Sequence, residues 1–271
     1  MTKSASLRIE DLRAIVQLVG ECRDLGDDPA AWQQHLSQSV ARLTGATVVT
    51  AGDMIGRWGQ PSYAGPLFSW GWGNRVDQDT WLEWLVPFKD DATFSQGVMR
   101  YMEHFRQEDG VALTRTDLLS SREYEGSAEH ECCRHIGVDH MIGCFRMLSR
   151  AKDAFRALCL WRAPGERDFT RRERMLLREV QAATVPLIGS ALARPGEPSP
   201  AALPPRVRQV LCCLLEGDGD KQIARRLGLT RYTINEYTKT LFRYFGVQSR
   251  AELLARWVRW GFPHGFSWAD V

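Results

Sequence analysis

No run of apolar residues in this 271-residue chain is long enough to cross a bilayer. The opening stretch, MTKSASLRIEDLRAIVQLV, lacks a signal-peptide cleavage pattern and reads as a start followed by an amphipathic helix. The seven cysteines (Cys22, Cys132, Cys133, Cys144, Cys159, Cys212 and Cys213) are odd in number and irregular in spacing. That pattern argues against a disulfide framework and for a reducing compartment, so a cytoplasmic protein is expected. There is no internal repeat. There is also no Gly-x-Ser-x-Gly turn, phosphate loop or paired-carboxylate constellation, so nothing recognisable supports an enzyme and no cofactor is expected. The segment HECCRHIGVDH holds ligand types in His130, Cys132, Cys133, His135 and His140. Its spacing is wrong for a zinc finger, and adjacent cysteines on a helix point about 100° apart, so no metal site is expected.

Net charge is only +2, and it is unevenly spread. Residues 203–271 carry 11 Lys and Arg against 6 Asp and Glu, a net of +5, and the remainder carries 24 against 27, a net of −3. A small basic unit joined to a mildly acidic one suggests that the small unit meets a polyanion, although a solvated basic face would look the same by charge alone.

The stretch RPGEPSPAALPPR, Arg194 to Arg206, contains five prolines and a glycine and reads as a linker. The expected division is a domain over 1–193, a Pro-rich linker over 194–205 and a second domain over 206–271. Before the linker, Leu7–Asp24 and Pro29–Leu43 read as helices, the first with Ser6 as its cap. ATVVTAGDMIGRW and SYAGPLFSWGWG read as strands around a Gly-Gln-Pro-Ser turn. VDQDTWLEWLVPF, FSQGVMRYMEHFRQ and SREYEGSAEHECCRHIG read as helices. DHMIGCFRMLS and AFRALCLWRA read as paired strands, and Phe169–Ala193 reads as a long helix opened by Asp168 or Thr170. Strands flanked by helices give an α+β sandwich.

After the linker everything is helical. Pro205 suits a first helical position, and Val207, Val210, Leu211, Leu214 and Leu215 form one apolar stripe. A short helix, Lys221–Leu227, leads through Gly228-Leu229 to a third helix that Thr230 caps and Gly246 stops. Ser249 then caps a fourth helix through Trp260. Two short helices joined by a tight glycine-containing turn form the helix-turn-helix pattern. On the third helix Ile234, Leu241 and Phe245 share one face, with Thr238 near them, while Tyr232, Asn235, Glu236, Lys239 and Arg243 share the opposite one. That outward face suits a major groove. Asn can pair with adenine, Lys can bond guanine and Glu can accept from cytosine. Thr230 and Thr233 can hold a phosphate beside exposed backbone amides.

Leu203 to Trp260 resembles the C-terminal DNA-binding domain of LuxR-type transcriptional regulators. LPPRVRQVLCCLLEG resembles that family's opening helix, and KQIARRLGLTRYTINEYTKTLFRYFGVQSRAELL resembles its scaffold, recognition and return helices. The resemblance implies a four-helix fold, double-stranded DNA as partner, Asn235, Glu236 and Lys239 facing bases, and Lys221, Thr230, Thr233 and Arg250 facing phosphates; Arg243, on the outward face, is also expected to face a phosphate. The chain departs from the family at Val207 and Gln209, at Asp218-Gly219-Asp220, at Glu236 and at Tyr237. Extra acid near the groove implies weaker non-specific binding.

The element order before the linker resembles a GAF-like sensor, as do the signal domains of many LuxR-type regulators. No acidic pair follows the first strand, which argues against a receiver domain. The Trp-Tyr cluster followed by Asp-Pro of acyl-homoserine-lactone sensors is also missing. Trp58, Trp70 and Trp72 lie on expected strands, the last two on one face, and could line an apolar pocket for a small molecule; the alternative is ordinary core. The overall expectation is a homodimeric, cytoplasmic, DNA-binding transcriptional regulator. The rivals are an enzyme with an accessory helical unit, which a nucleophile or metal centre would support, and a protein-interaction module whose helix-turn-helix only packs.

Overall fold

The computed structural model describes residues 6–58, 62–63, 67–73, 96–151, 153–194, 200 and 203–260, with the backbone alone at 62–63 and 256–260. Its contacts divide the chain into two compact units: Met1–Gly20 with Gln33–Pro186, and Glu21–Trp32 with Leu187–Val271.

Among the described residues the first unit is built on a six-stranded sheet of β1 (Val48–Ile55), β2 (Ser62–Tyr63), β3 (Phe68–Trp70), β4 (Ala112–Thr114), β5 (His140–Ser149) and β6 (Ala154–Arg162). The order is β2-β1-β6-β5-β4, with β3 also on β1, and every pairing is antiparallel. Alternation along the strands sends Val48, Met54, Phe145, Phe155, Ala157 and Trp161 to one face. There they join Tyr101, Met102 and Phe105 of α3 (Gln96–Gln107) and Cys133 of α6 (Ala128–His135) in one core cluster. Each fully buried Phe contributes about 1.5–3 kcal/mol. The other face carries Asp53 and Arg156. Arg156 is buried and reaches Asp53 at 2.7 Å and, on α2 (Pro29–Thr44), Gln33 at 2.7 Å. α7 (Arg171–Thr184) covers the same face, where the Gln181 amide donates to the Cys144 carbonyl at 2.8 Å. α1 (Ile9–Asp24) is tied to α7 by the Asp11–Arg172 ion pair. The result is an α/β unit with helices on both sides of an antiparallel sheet.

Several boundaries depart from the sequence reading. α1 starts at Ile9, where the Arg8 amide donates to Asp11, rather than at Leu7 behind a Ser6 cap. The second expected strand is two short ones, and the expected helix VDQDTWLEWLVPF lies outside the described residues. SREYEGSAEHECCRHIG is broken at Gly126-Ser127 into α5 (Ser121–Glu125) and α6, because Ser120 and Ser127 each cap a helix of their own. β4 and the following single turn α4 (Arg115–Leu118) were not anticipated. The long helix ends at Thr184 instead of Ala193. Pro186 has no N–H for the Ala182 carbonyl, and only a 3-10 turn, Val185–Leu187, follows.

Besides the end of α1 and the start of α2, the described residues of the second unit form α8 (Pro205–Leu215), α9 (Asp220–Leu227), α10 (Arg231–Phe245) and α11 (Arg250–Trp260). Val207, Val210, Leu211, Leu214, Ile223, Ala224, Ile234, Leu241, Phe245 and Leu253 form its core. In the same unit the Trp32 indole donates to the Ala193 carbonyl at 2.9 Å, and the Ala193 amide to the Gly26 carbonyl at 2.7 Å.

Candidate nucleic-acid interface

The turn between α9 and α10 begins at Gly228, which has φ +65° and ψ +33°. Glycine adopts this left-handed geometry without a Cβ penalty, and the Gly228 amide closes α9 on the Ala224 carbonyl. Two residues later Thr230 opens α10. Its hydroxyl accepts from the Thr233 amide at 3.1 Å and lies 2.9 Å from the Thr233 hydroxyl, so the two threonines act as one cap. Gly246, at φ +62°, closes the far end, its amide bonding back to the Phe242 and Arg243 carbonyls.

Ile234, Leu241 and Phe245 of α10 are buried against α8 and α9, and Thr238 is half-buried with its hydroxyl on the Ile234 carbonyl. The opposite face carries Tyr232, Asn235, Lys239 and Arg243, all exposed, with Glu236 half-exposed among them. Glu236 and Lys239 are not independent: the Lys239 ammonium donates to the Glu236 carboxylate at 2.9 Å. That bond raises the lysine pKa. Two side chains assigned to separate bases therefore neutralise each other across one helical turn. Tyr237 is half-buried and packs against the core.

The residues assigned to phosphates fall into two groups. Lys221, in the first turn of α9, and Thr230, Thr233 and Arg243 of α10 lie at or near the surface. Arg250 is placed differently. Its Nη2 donates to the Leu214 carbonyl at 3.1 Å and to the Asp218 carbonyl at 2.6 Å, tying the start of α11 to the end of α8. Arg226 of α9 reaches the same loop, bonding Glu216 at 2.5 Å and Asp218 at 2.9 Å. Asp218 is thus held twice, by its carbonyl and by its carboxylate. Asp218 of this loop and Glu236 of α10 are each paired with a cation. Sequence reasoning missed the Arg226 clip. Its signal, an Arg eight residues beyond Asp218, follows no helical spacing because the two lie on different elements.

Residues 201–257 match the model of the bacterial regulatory proteins, luxR family. This C-terminal segment is a LuxR-type helix-turn-helix domain. One relative with a similar sequence is a probable HTH-type transcriptional regulator, GfsR of Streptomyces halstedii, 35% identical over 91 residues. The match covers 33% of this chain and 37% of that relative's own length. Solved structures similar to the chain include SdiA of Escherichia coli, at 14% identity and TM-score 0.36, covering 86% of this chain and 91% of SdiA. Another is CepR2 of Burkholderia cenocepacia, an N-acylhomoserine lactone dependent LuxR family transcription factor, at 12% identity and TM-score 0.41, covering 63% of this chain and 90% of CepR2. Scores at this level do not establish a common fold for the first unit.

The aromatic set proposed as a pocket is dispersed. Trp58 is 69% exposed, with the Arg57 guanidinium over its ring. Trp70 stands opposite Val49 at the end of β3, whereas Trp72 packs against the cluster that contains Val48 and Trp161. Gly71, at φ +98°, turns the chain between them, so the expected shared face is not formed. Among the described residues no three His, Cys, Asp or Glu side chains gather as metal ligands. The His130 ring lies against Tyr124 and Cys133 is buried. Burial raises the Cys133, Cys144 and Cys159 thiols to about 12, so these are inert packing groups. No helix among the described residues is long and apolar enough to cross a membrane.

Proposed function

We propose that the chain is a sequence-specific, DNA-binding transcriptional regulator. The observation that carries this is the face of α10. Asn235, Glu236 and Lys239 project outward from a helix whose other side is locked by Ile234, Leu241 and Phe245, inside a domain of LuxR type. In this reading those three meet base edges, and Lys221, Thr230, Thr233 and Arg243 meet phosphates. Arg250 holds the frame.

Residues 1–193 form the regulatory domain, a GAF-like sensor, joined through 194–205 to the DNA-binding domain at 206–271. Support comes from the antiparallel sheet with helices on both faces. A small molecule in this domain would meet Trp70 or Trp72, since Trp58 is exposed. The protein works in the cytoplasm as a homodimer, because one short helix reads too few base pairs for useful specificity and a second copy doubles the site. The half-sites are then about one helical turn apart. Genome-wide mapping of bound DNA, with and without candidate ligands, tests the reading, and sedimentation of the full chain on the recovered duplex tests the dimer. A protein that recovers no preferred sequence refutes the regulator. A monomer occupying a single half-site refutes the homodimer.

A further inference from the structure

Tyr232 is 75% exposed, so its ring contributes little to the core. Among residues 203–255 it is the one large apolar side chain left standing in solvent. It sits in the first turn of α10, two residues after the Thr230 cap. At about 100° per residue its direction falls within about 60° of Asn235, about 40° of Glu236 and about 20° of Lys239. Tyr232 therefore extends the outward face by one turn toward the helix N-terminus. In a helix-turn-helix the N-terminal residues of the reading helix approach the base edges most closely.

The chemistry of the site is divided. Asn235, Glu236 and Lys239 supply hydrogen-bond donors and acceptors, and Tyr232 supplies a flat apolar surface. The major-groove edge of a base pair offers one bulky apolar group, the 5-methyl of thymine. We infer that Tyr232 is a specificity-determining residue whose ring contacts a thymine methyl in the major groove, next to the bases reached by Asn235 and Glu236. This rests on the DNA-binding reading above. The ring makes the contact; the hydroxyl is not required.

The test uses a duplex selected from a randomised pool by the full-length protein. The duplex is resynthesised with each thymine in turn replaced by deoxyuridine, which lacks only the methyl. The wild type should lose about fourfold in affinity at one position per half-site, the equivalent of one buried methyl group. Tyr232→Phe should keep that discrimination, and Tyr232→Ala should bind the thymine and deoxyuridine duplexes equally. The exposed position makes Tyr232→Ala safe for the core, and an unchanged melting curve verifies it. Equal wild-type affinity for thymine and deoxyuridine at every position overturns the inference, as does discrimination that survives in Tyr232→Ala. If Tyr232→Phe behaves as Tyr232→Ala, the hydroxyl makes the contact and the methyl reading falls. A wild type that selects no duplex removes the DNA-binding reading itself, a distinct result.

Discussion

Replacing Glu173 by Gln should destabilise the first unit by about 3 kcal/mol at neutral pH. The carboxylate is 3% exposed and five bonds converge on it. Arg162 donates at 3.0 Å and Arg167 donates through both terminal nitrogens, while the Thr170 amide and hydroxyl donate at 2.7 Å and 2.9 Å. Burial pushes the Glu173 pKa up, but Arg167, Thr170 and Arg162 together outweigh it and hold the group at about 2, below the ordinary 4.5. At about 1.4 kcal/mol per pKa unit, this depression amounts to about 3 kcal/mol of native-state stabilisation. The same figure follows from the other direction, since removing one partner of a buried pair costs about 3–5 kcal/mol. Arg162 keeps the carbonyls of Gly45, Arg167 and Asp168, which places the loss at the low end. The folded pKa is depressed, so the stabilisation is fully present above about pH 4.5 and is lost as pH falls toward about 2. Hydrogen exchange at the β5 and β6 amides reports this unit without requiring the whole chain to unfold in one step. Wild type and Glu173→Gln should differ by about 3 kcal/mol at pH 7, and the gap should close on acidification. A gap under about 1 kcal/mol at pH 7, or one as large at pH 3 as at pH 7, would refute the reasoning.

Other outcomes follow for the second unit. Glu236→Gln frees the Lys239 ammonium, so non-specific DNA affinity should rise and the slope of log affinity against log salt should steepen by up to about one, as read by fluorescence anisotropy. An unchanged slope would mean that the pair already opens on DNA. Thr230→Ala should cost about 1 kcal/mol in chemical denaturation of the second unit, and Thr230→Ser should restore most of it. Arg250→Ala should lower stability by about 1–2 kcal/mol while leaving the salt slope of DNA binding unchanged. A slope reduced by about one would return Arg250 to the phosphate contacts.

Sequence periodicity sufficed where a segment was long and one-sided. The stripe Val207, Val210, Leu211, Leu214 is the buried side of α8, and the runs around Cys144 and Leu158 became the central pair β5 and β6. Caps were legible too: Thr230 and Thr170 both bond the amide three residues on. Short or interrupted pieces were not. Three residues of β4 carry no measurable alternation, and Ser127 restarts a helix inside a continuous helical pattern. The outward face of α10 could be placed by phase, because phase depends only on backbone geometry. Which side chains on it would pair could not, since the Glu236–Lys239 bond depends on rotamers. The bonds of Arg250 to the backbone were not legible for a related reason. Its two acceptors are backbone carbonyls 36 and 32 residues earlier, brought near only by the tertiary fold.

The glycines at the two ends of α10 have a consequence for how such a protein changes over time. At both Gly228 and Gly246 the bend is set by the backbone, and a Cβ placed there would meet nothing within 4 Å. The seating of α10 is therefore set by two bends, the Thr230 cap and three buried side chains, all of them residues other than the outward ones. Mutation can rewrite Tyr232, Asn235, Glu236 and Lys239 without unsettling the frame. The outward surface can therefore diversify at little cost to folding.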